Sequence, residues 1–137
     1  MEFEELLREM VQDKGDENRM THVEVIPPRP ARFVDLPQGL HPCLLEAMQR
    51  MGVHQLYPHQ AEALSLIGEG SNVIISTGTA SGKSLCYHMP VYEDILDNPS
   101  CRALYLFPTK ALAQDQLRSL KEMQGREVRS ATYDGDT

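Results

Sequence analysis

Eight consecutive residues, Thr77-Gly78-Thr79-Ala80-Ser81-Gly82-Lys83-Ser84, have the composition of a loop that holds a nucleoside triphosphate. Small residues let backbone N–H groups turn inward toward phosphate oxygens, and a helix starting at the loop's end adds positive potential. Lys83 sits where it can reach the outer phosphates, and the hydroxyl of Ser84 where it can ligate magnesium. The strict pattern asks for glycine where this chain has Thr77, and glycine comes one place later, at Gly78. Gly-Lys-Ser alone is a weak signal. A strand before it, a helix after it and small residues between make it specific. ATP and Mg2+ are the expected ligands.

Two other segments carry suggestive chemistry. Upstream lies Tyr57-Pro58-His59-Gln60. A glutamine amide donates to and accepts from an adenine edge at once, and a tyrosine ring offers a stacking face. The plainer reading is a helix start with a surface amide; the phosphate loop downstream favours adenine contact by Gln60, with Tyr57 beside it. Downstream lies Pro108-Thr109-Lys110. A hydroxyl, a lysine and a helix N-terminus at a strand's carboxyl end can hold a nucleic-acid phosphate. Thr109 can equally be a plain helix cap, and residue chemistry leaves the two readings open. His54 and His59 read as surface or packing residues. Asp134 and Asp136 read as a solvated turn around Gly135.

These residues need elements to hold them. Glu2 to Val11 has helical spacing of Phe3, Leu6, Leu7, Met10 and Val11, with acids opposite. Pro27, Pro28 and Pro30 force an extended linker, so the domain boundary is expected at 34, with a compact part over 35–137. Helices are expected over Pro42–Met51 and Pro58–Ile67. Asn72–Ser76 and Ala103–Phe107 read as strands buried in a parallel sheet, and Glu127–Thr132 as a third. Lys83–Leu96 reads as a helix that Pro90 should kink or end, and Ala111–Met123 as another. The alternation is an α/β pattern, a mainly parallel sheet flanked by helices with a helical N-terminal extension.

The chain has 137 residues, a net charge of −7 and a pI near 5.1, which argues against broad electrostatic binding of nucleic acid. The charge is uneven. Met1–Glu17 holds seven acids against two bases, whereas Cys101–Arg129 holds six bases and three acids. A nucleic-acid contact should therefore be local and lie in the C-terminal third. Cys43, Cys86 and Cys101 lack metal-type spacing and read as reduced thiols of a cytoplasmic protein. No apolar run is long enough to span a bilayer.

Taken in order, the segments resemble the first RecA-like domain of a superfamily 2 helicase of the DEAD/DEAH-box type, over about 35–137. Leu56-Tyr57-Pro58-His59-Gln60 is similar to the Q motif, and Thr77–Ser84 to motif I. Pro108-Thr109-Lys110-Ala111-Leu112-Ala113 is similar to motif Ia, and Tyr133–Thr137 to the region of motif Ib. The wording of motifs I and Ia is closest to the Hrq/Mrf-like branch of DNA helicases linked to repair. The resemblance implies that Gln60 reads adenine and that Lys83 contacts the β- and γ-phosphates. It implies that Ser84 ligates magnesium, and that Pro108, Thr109, Lys110 and Thr137 lie along a single strand, DNA ahead of RNA. It also implies a parent acting beside the nucleoid, or in a nucleus. The family's acidic box and second RecA-like domain do not follow within the sequence. The expectation is thus an N-terminal fragment that binds ATP without turning it over. Two alternatives stand beside it: a fragment of another P-loop NTPase, and a stand-alone nucleotide- or nucleic-acid-binding adaptor. Neither a kinase nor a simple NTPase has need of Gln60 together with Pro108-Thr109-Lys110.

Overall fold

The computed structural model describes residues 3, 5, 24–27, 30–125 and 128–133. The chain divides into two compact units, Met1–Pro30 and Ala31–Thr137. In the first, Phe3 and Glu5 are helical and the rest of the expected Glu2–Val11 helix lies outside the described residues. The second unit contains every site segment; its residues 134–137, Thr137 among them, lie outside the described residues.

Its elements run β1 (Val34–Asp35), α1 (Pro42–Arg50), β2 (Gln55–Leu56), α2 (Pro58–Gly68), α3 (Lys83–Asp97) and α4 (Lys110–Met123). Local chemistry explains the boundaries. Pro42 and Pro58 each open a helix, where a missing N–H costs nothing and φ is already set. His41 caps α1 by accepting from Cys43 N through Nδ1 at 3.2 Å. Gly52, at φ +72°, then turns the chain out of α1, with Val53 N donating to Met48 O at 2.8 Å. Thr109 caps α4 by accepting from Leu112 N at 3.2 Å. The helix α3 runs its full 15 residues through Pro90. Of the two expected outcomes, an end at Pro90 does not occur. Proline removes one hydrogen bond, to Cys86 O, and the buried face of Cys86, Met89 and Tyr92 on either side of it holds the helix to the core.

That core is built from Leu44, Ala47 and Met48 of α1, Leu56 of β2, Met89 and Tyr92 of α3, and Leu120 and Met123 of α4. Alpha2 packs chiefly on α3. The Tyr92 hydroxyl is not wasted: it accepts from Gly125 N at 2.8 Å and so ties the end of α4 to α3. Methionine at three core positions fills gaps between helices that cross without a sheet between them.

The sheet differs from expectation. The pairing described is one short antiparallel ladder, Val34 with Leu56 and Asp35 with Gln55. The runs 72–76 and 103–107, read from sequence as parallel strands, have no ladder pairing among the described residues, and neither does 128–132. They nevertheless alternate as strands do. Val73, Ile75, Tyr105 and Phe107 are half-buried, while Ile74, Leu104 and Leu106 are 97%, 84% and 85% exposed. A parallel sheet is stable when both faces are covered. Among the described residues one face of these runs is half-buried and the other exposed, and the pairing described does not confirm the parallel sheet.

Leu44→Ala should lower unfolding free energy by about 3 kcal/mol, because the site is fully enclosed. Urea denaturation followed by circular dichroism measures this; a loss near zero would mean that α1 is not part of the core.

Candidate functional site

The phosphate-type loop lies between the extended run 72–76 and α3, so the first turn of α3 carries Lys83 and Ser84 directly at its N-terminus. Gly82 is the N-cap and adopts φ +73°, a left-handed conformation that L side chains avoid. Ala80 is also left-handed, at φ +55°. Two such residues separated by Ser81 bend the backbone of the loop just before α3.

Inside the bend, Lys83 supplies the cation. Its ammonium donates to Thr77 O at 3.1 Å, to Gly78 O, and to Ser81 Oγ at 3.3 Å. Thr77 Oγ1 and Ser81 Oγ lie 2.6 Å apart and close the loop across its mouth. Three donors meet three acceptors, so the lysine is drawn into the cradle. Neutral carbonyls are weaker partners for an ammonium than charged phosphate oxygens, to which it can transfer. The donor set therefore fits a polyphosphate: an ammonium beside a helix N-terminus, with the Ser84 hydroxyl next to it.

Gln60 holds this loop from outside. It is 3% exposed. Its Nε2 donates to Gly82 O at 2.8 Å and its Oε1 accepts from Tyr57 N at 2.8 Å. The amide thus links the first turn of α2 to the first turn of α3. One amide proton and one lone pair remain for other partners. The approach is so close that a Cβ on residue 82 would fall 2.5 Å from Gln60 Nε2 and 3.8 Å from the Tyr57 ring. Glycine is required there twice over, for its φ and for the space. Tyr57 itself stacks between Phe33, with ring centroids 5.2 Å apart, and His59, at 5.8 Å. Its ring is about one-third exposed. His59 is thus a packing residue, as its position suggested.

Ser84 has a partner that sequence reasoning missed. Tyr87 Oη lies 3.2 Å from Ser84 Oγ and 2.8 Å from Gln116 Oε1 of α4. Helical spacing of three residues puts Ser84 and Tyr87 on one face, a signal readable in advance. Nothing in the sequence pointed to Gln116. Around this chain the rings of Tyr87, His88 and Tyr105 pack edge to face or tilted, at 4.6 to 5.8 Å. Burial pushes the His88 imidazole below its ordinary value, with the Gln116 amide opposing this. Burial, then Tyr87, pushes the Tyr105 phenol up to about 12.

At the start of α4, Pro108, Thr109 and Lys110 are exposed. The Thr109 side chain caps the helix, and its hydroxyl proton is left to donate outward. Thr109 and Lys110 lie on the rim of a cavity of about 800 Å³ between α3, α4 and 128–133. Neither Gln60 nor the phosphate-type loop lines that cavity. Among the described residues no three His, Cys, Asp or Glu side chains cluster as a metal site.

Comparison with known proteins agrees with this geometry. The DEAD/DEAH box helicase family model matches residues 57–137, from the tyrosine of the Gln60 segment onward. The chain is similar to the uncharacterized ATP-dependent helicase YprA of Bacillus subtilis, 43% identical over 135 residues, covering 96% of this chain and 18% of that protein. It is 42% identical over 125 residues to the ATP-dependent helicase HRQ1 of Saccharomyces cerevisiae, covering 88% of this chain and 11% of that one. Among solved structures, the DUF1998 helicase MrfA bound to DNA superposes with a TM-score of 0.83 and 40% identity, over 100% of this chain and 19% of MrfA. MrfA bound to DNA and AMPPNP superposes with 0.74 and 44% identity, over 82% and 16%. The chain thus spans less than a fifth of the length of these relatives.

Gly82→Ala should cost about 2 kcal/mol of stability or more, from the left-handed φ and the contact with Gln60. Combining it with Gln60→Ala should cost less than the sum of the two single changes, since removing the amide frees the space. Additive losses in a denaturation cycle would mean that the two residues do not touch.

Proposed function

Since the chain belongs to the DEAD/DEAH box helicase family, we propose that it is the ATP-binding first part of a DNA helicase's motor. The observation that carries this reading is the Lys83 ammonium, drawn into a loop that Gln60 clamps from outside. A kinase-type or simple NTPase loop has no need of that clamp.

ATP bound here would supply a phosphoanhydride, with magnesium neutralising its outer phosphates. The chain's own residues do the rest. Amides of Gly78–Gly82 donate to the phosphates, and Lys83 exchanges Thr77 O and Gly78 O for phosphate oxygens. Ser84 gives the cation a hydroxyl oxygen. Gln60 keeps Gly82 in its left-handed turn and offers its remaining amide proton and lone pair to the adenine edge, beside the Tyr57 ring. At the other site the Thr109 hydroxyl, the Lys110 ammonium and the N-terminus of α4 hold a strand's phosphate, with Pro108 fixing the turn and Thr137 further along. Such contacts grip a backbone without reading its bases, which suits a motor that moves along any sequence.

Single-stranded DNA is the proposed partner. Support comes from relatives that are DNA helicases, among them MrfA, which was crystallised with DNA. A whole protein of this kind would couple hydrolysis to movement along DNA, in repair by the branch it resembles, and would work beside the nucleoid or in a nucleus. That coupling requires a second cation-ligating acid and a charge-stabilising arginine opposite the nucleotide.

Titrating the 137-residue chain with a fluorescent ATP analogue should give saturable binding, and Lys83→Ala should weaken it about tenfold or more. Equal binding by both would overturn the ATP assignment. For DNA, Thr109→Ala with Lys110→Ala should weaken binding of a labelled single strand to a similar degree across sequences. It should also lower the salt dependence by about one charge. Anisotropy at two or more salt concentrations reads both; an unchanged salt slope would remove Lys110 from the interface.

A further inference from the structure

Lys83 is satisfied by its own loop. Its ammonium donates to Thr77 O at 3.1 Å, to Gly78 O and to Ser81 Oγ at 3.3 Å. Two of these acceptors are backbone carbonyl oxygens. Turned toward the ammonium, they repel a phosphate oxygen that arrives at the same place. The loop in this form is organised around its own lysine and not around an anion. Nucleotide entry has to draw the ammonium away from both carbonyls.

A pair of hydroxyls strengthens the closed form. An ammonium can only donate, so Ser81 Oγ accepts from Lys83. The same oxygen lies 2.6 Å from Thr77 Oγ1, and either hydroxyl can give the proton of that contact. Thr77 therefore fixes one of the oxygens that hold the lysine. It stands where the strict phosphate-loop pattern has glycine, which has no side chain to make such a bond. Between the two bonded residues lies Ala80, left-handed at φ +55°. A left-handed alanine is strained, so the closed form needs contacts to hold it. Resting on the ATP reading above, we propose that Thr77 sets the nucleotide affinity of this site: through Ser81 it latches the empty loop around Lys83, and the latch parts when phosphates take the lysine. A latch on the empty form lowers apparent affinity in proportion to how rarely the loop is open. Thr77 is exposed and Ser81 half-buried, so water competes for the bond and the effect is a few-fold.

The test is binding of a fluorescent ATP analogue with magnesium to the 137-residue chain, followed at equilibrium and by stopped flow. Thr77→Val keeps the branched shape and removes the hydroxyl. It should bind about threefold more tightly than the wild type, with the gain in the association rate and the dissociation rate unchanged. Thr77→Ser keeps a hydroxyl and should bind as the wild type does. Ser81→Ala should also bind more tightly, and adding Thr77→Val to it should bring nothing further, because the two changes remove one bond. Weaker binding by Thr77→Val would mean that the hydroxyl pair pre-forms the cradle, and overturns the proposal. Unchanged binding overturns it too, as does a Thr77→Val gain that adds in full to Ser81→Ala, since Thr77 would then act by another route. Lys83→Ala separates this from the parent reading. If it binds as well as the wild type, the ATP reading fails and the proposal with it. If it binds weakly while Thr77→Val binds no better than the wild type, the proposal alone fails.

Discussion

The hydrogen bond from Gln60 Nε2 to Gly82 O, 2.8 Å long, joins the first turns of α2 and α3 across 22 positions of sequence. Everything chemical in the chain is arranged about it. It holds Gly82 in a conformation other residues resist, and that conformation ends the loop and starts α3 with Lys83 and Ser84 in its first turn. Because a Cβ at residue 82 would meet the Gln60 amide at 2.5 Å, the bond and the glycine each require the other. The same amide accepts from Tyr57 N, so the aromatic stack of Phe33, Tyr57 and His59 is fixed to the loop through a single side chain. A change at any of these positions should therefore be felt at the phosphate site before it is felt in the core.

A second constraint runs inward from Ser84. The core proper lies among α1, α3 and α4 and is apolar. Between that core and the loop lies a polar and aromatic layer of Tyr87, His88, Tyr105 and Gln116. Burial lowers the His88 imidazole below its ordinary value and pushes the Tyr105 phenol up to about 12, so both shifts disfavour charge in this layer. It also connects α3, which begins at the phosphate loop, to α4, which begins at Thr109. One side chain, Gln116 of α4, meets Tyr87 of α3, the two helices that begin at Lys83 and Lys110.

Much of this was legible in the sequence, and the rest was hidden for physical reasons. Helices α1, α2 and α4 could be read because proline, threonine and glycine mark their ends by local chemistry. The loop before α3 could be located because its small residues, lysine and serine are fixed by spacing. The parallel sheet was read from apolar runs expected to be buried, whereas 73–75 and 104–107 show one half-buried and one exposed face. Ladder pairing is non-local, and no alternation of residues guarantees it. Pro90 misled because its penalty is local while the contacts that outweigh it, through Met89 and Tyr92, are tertiary. Gln60 was singled out for its chemistry toward a ligand, yet its first partner is the protein's own backbone. Gln116 could not have been found, since it meets Tyr87 across 29 residues with no motif to mark it.

The central claim is that residues 77–84 form a phosphate cradle. Backbone amide resonances of Gly78, Gly82 and Lys83, followed by NMR as an ATP analogue and magnesium are added, test it most directly. A cradle predicts large, saturable downfield shifts at these amides, with smaller changes along α3 and at the Gln60 side-chain amide. Shifts confined to other parts of the chain, with these three amides unmoved at saturation, would contradict it.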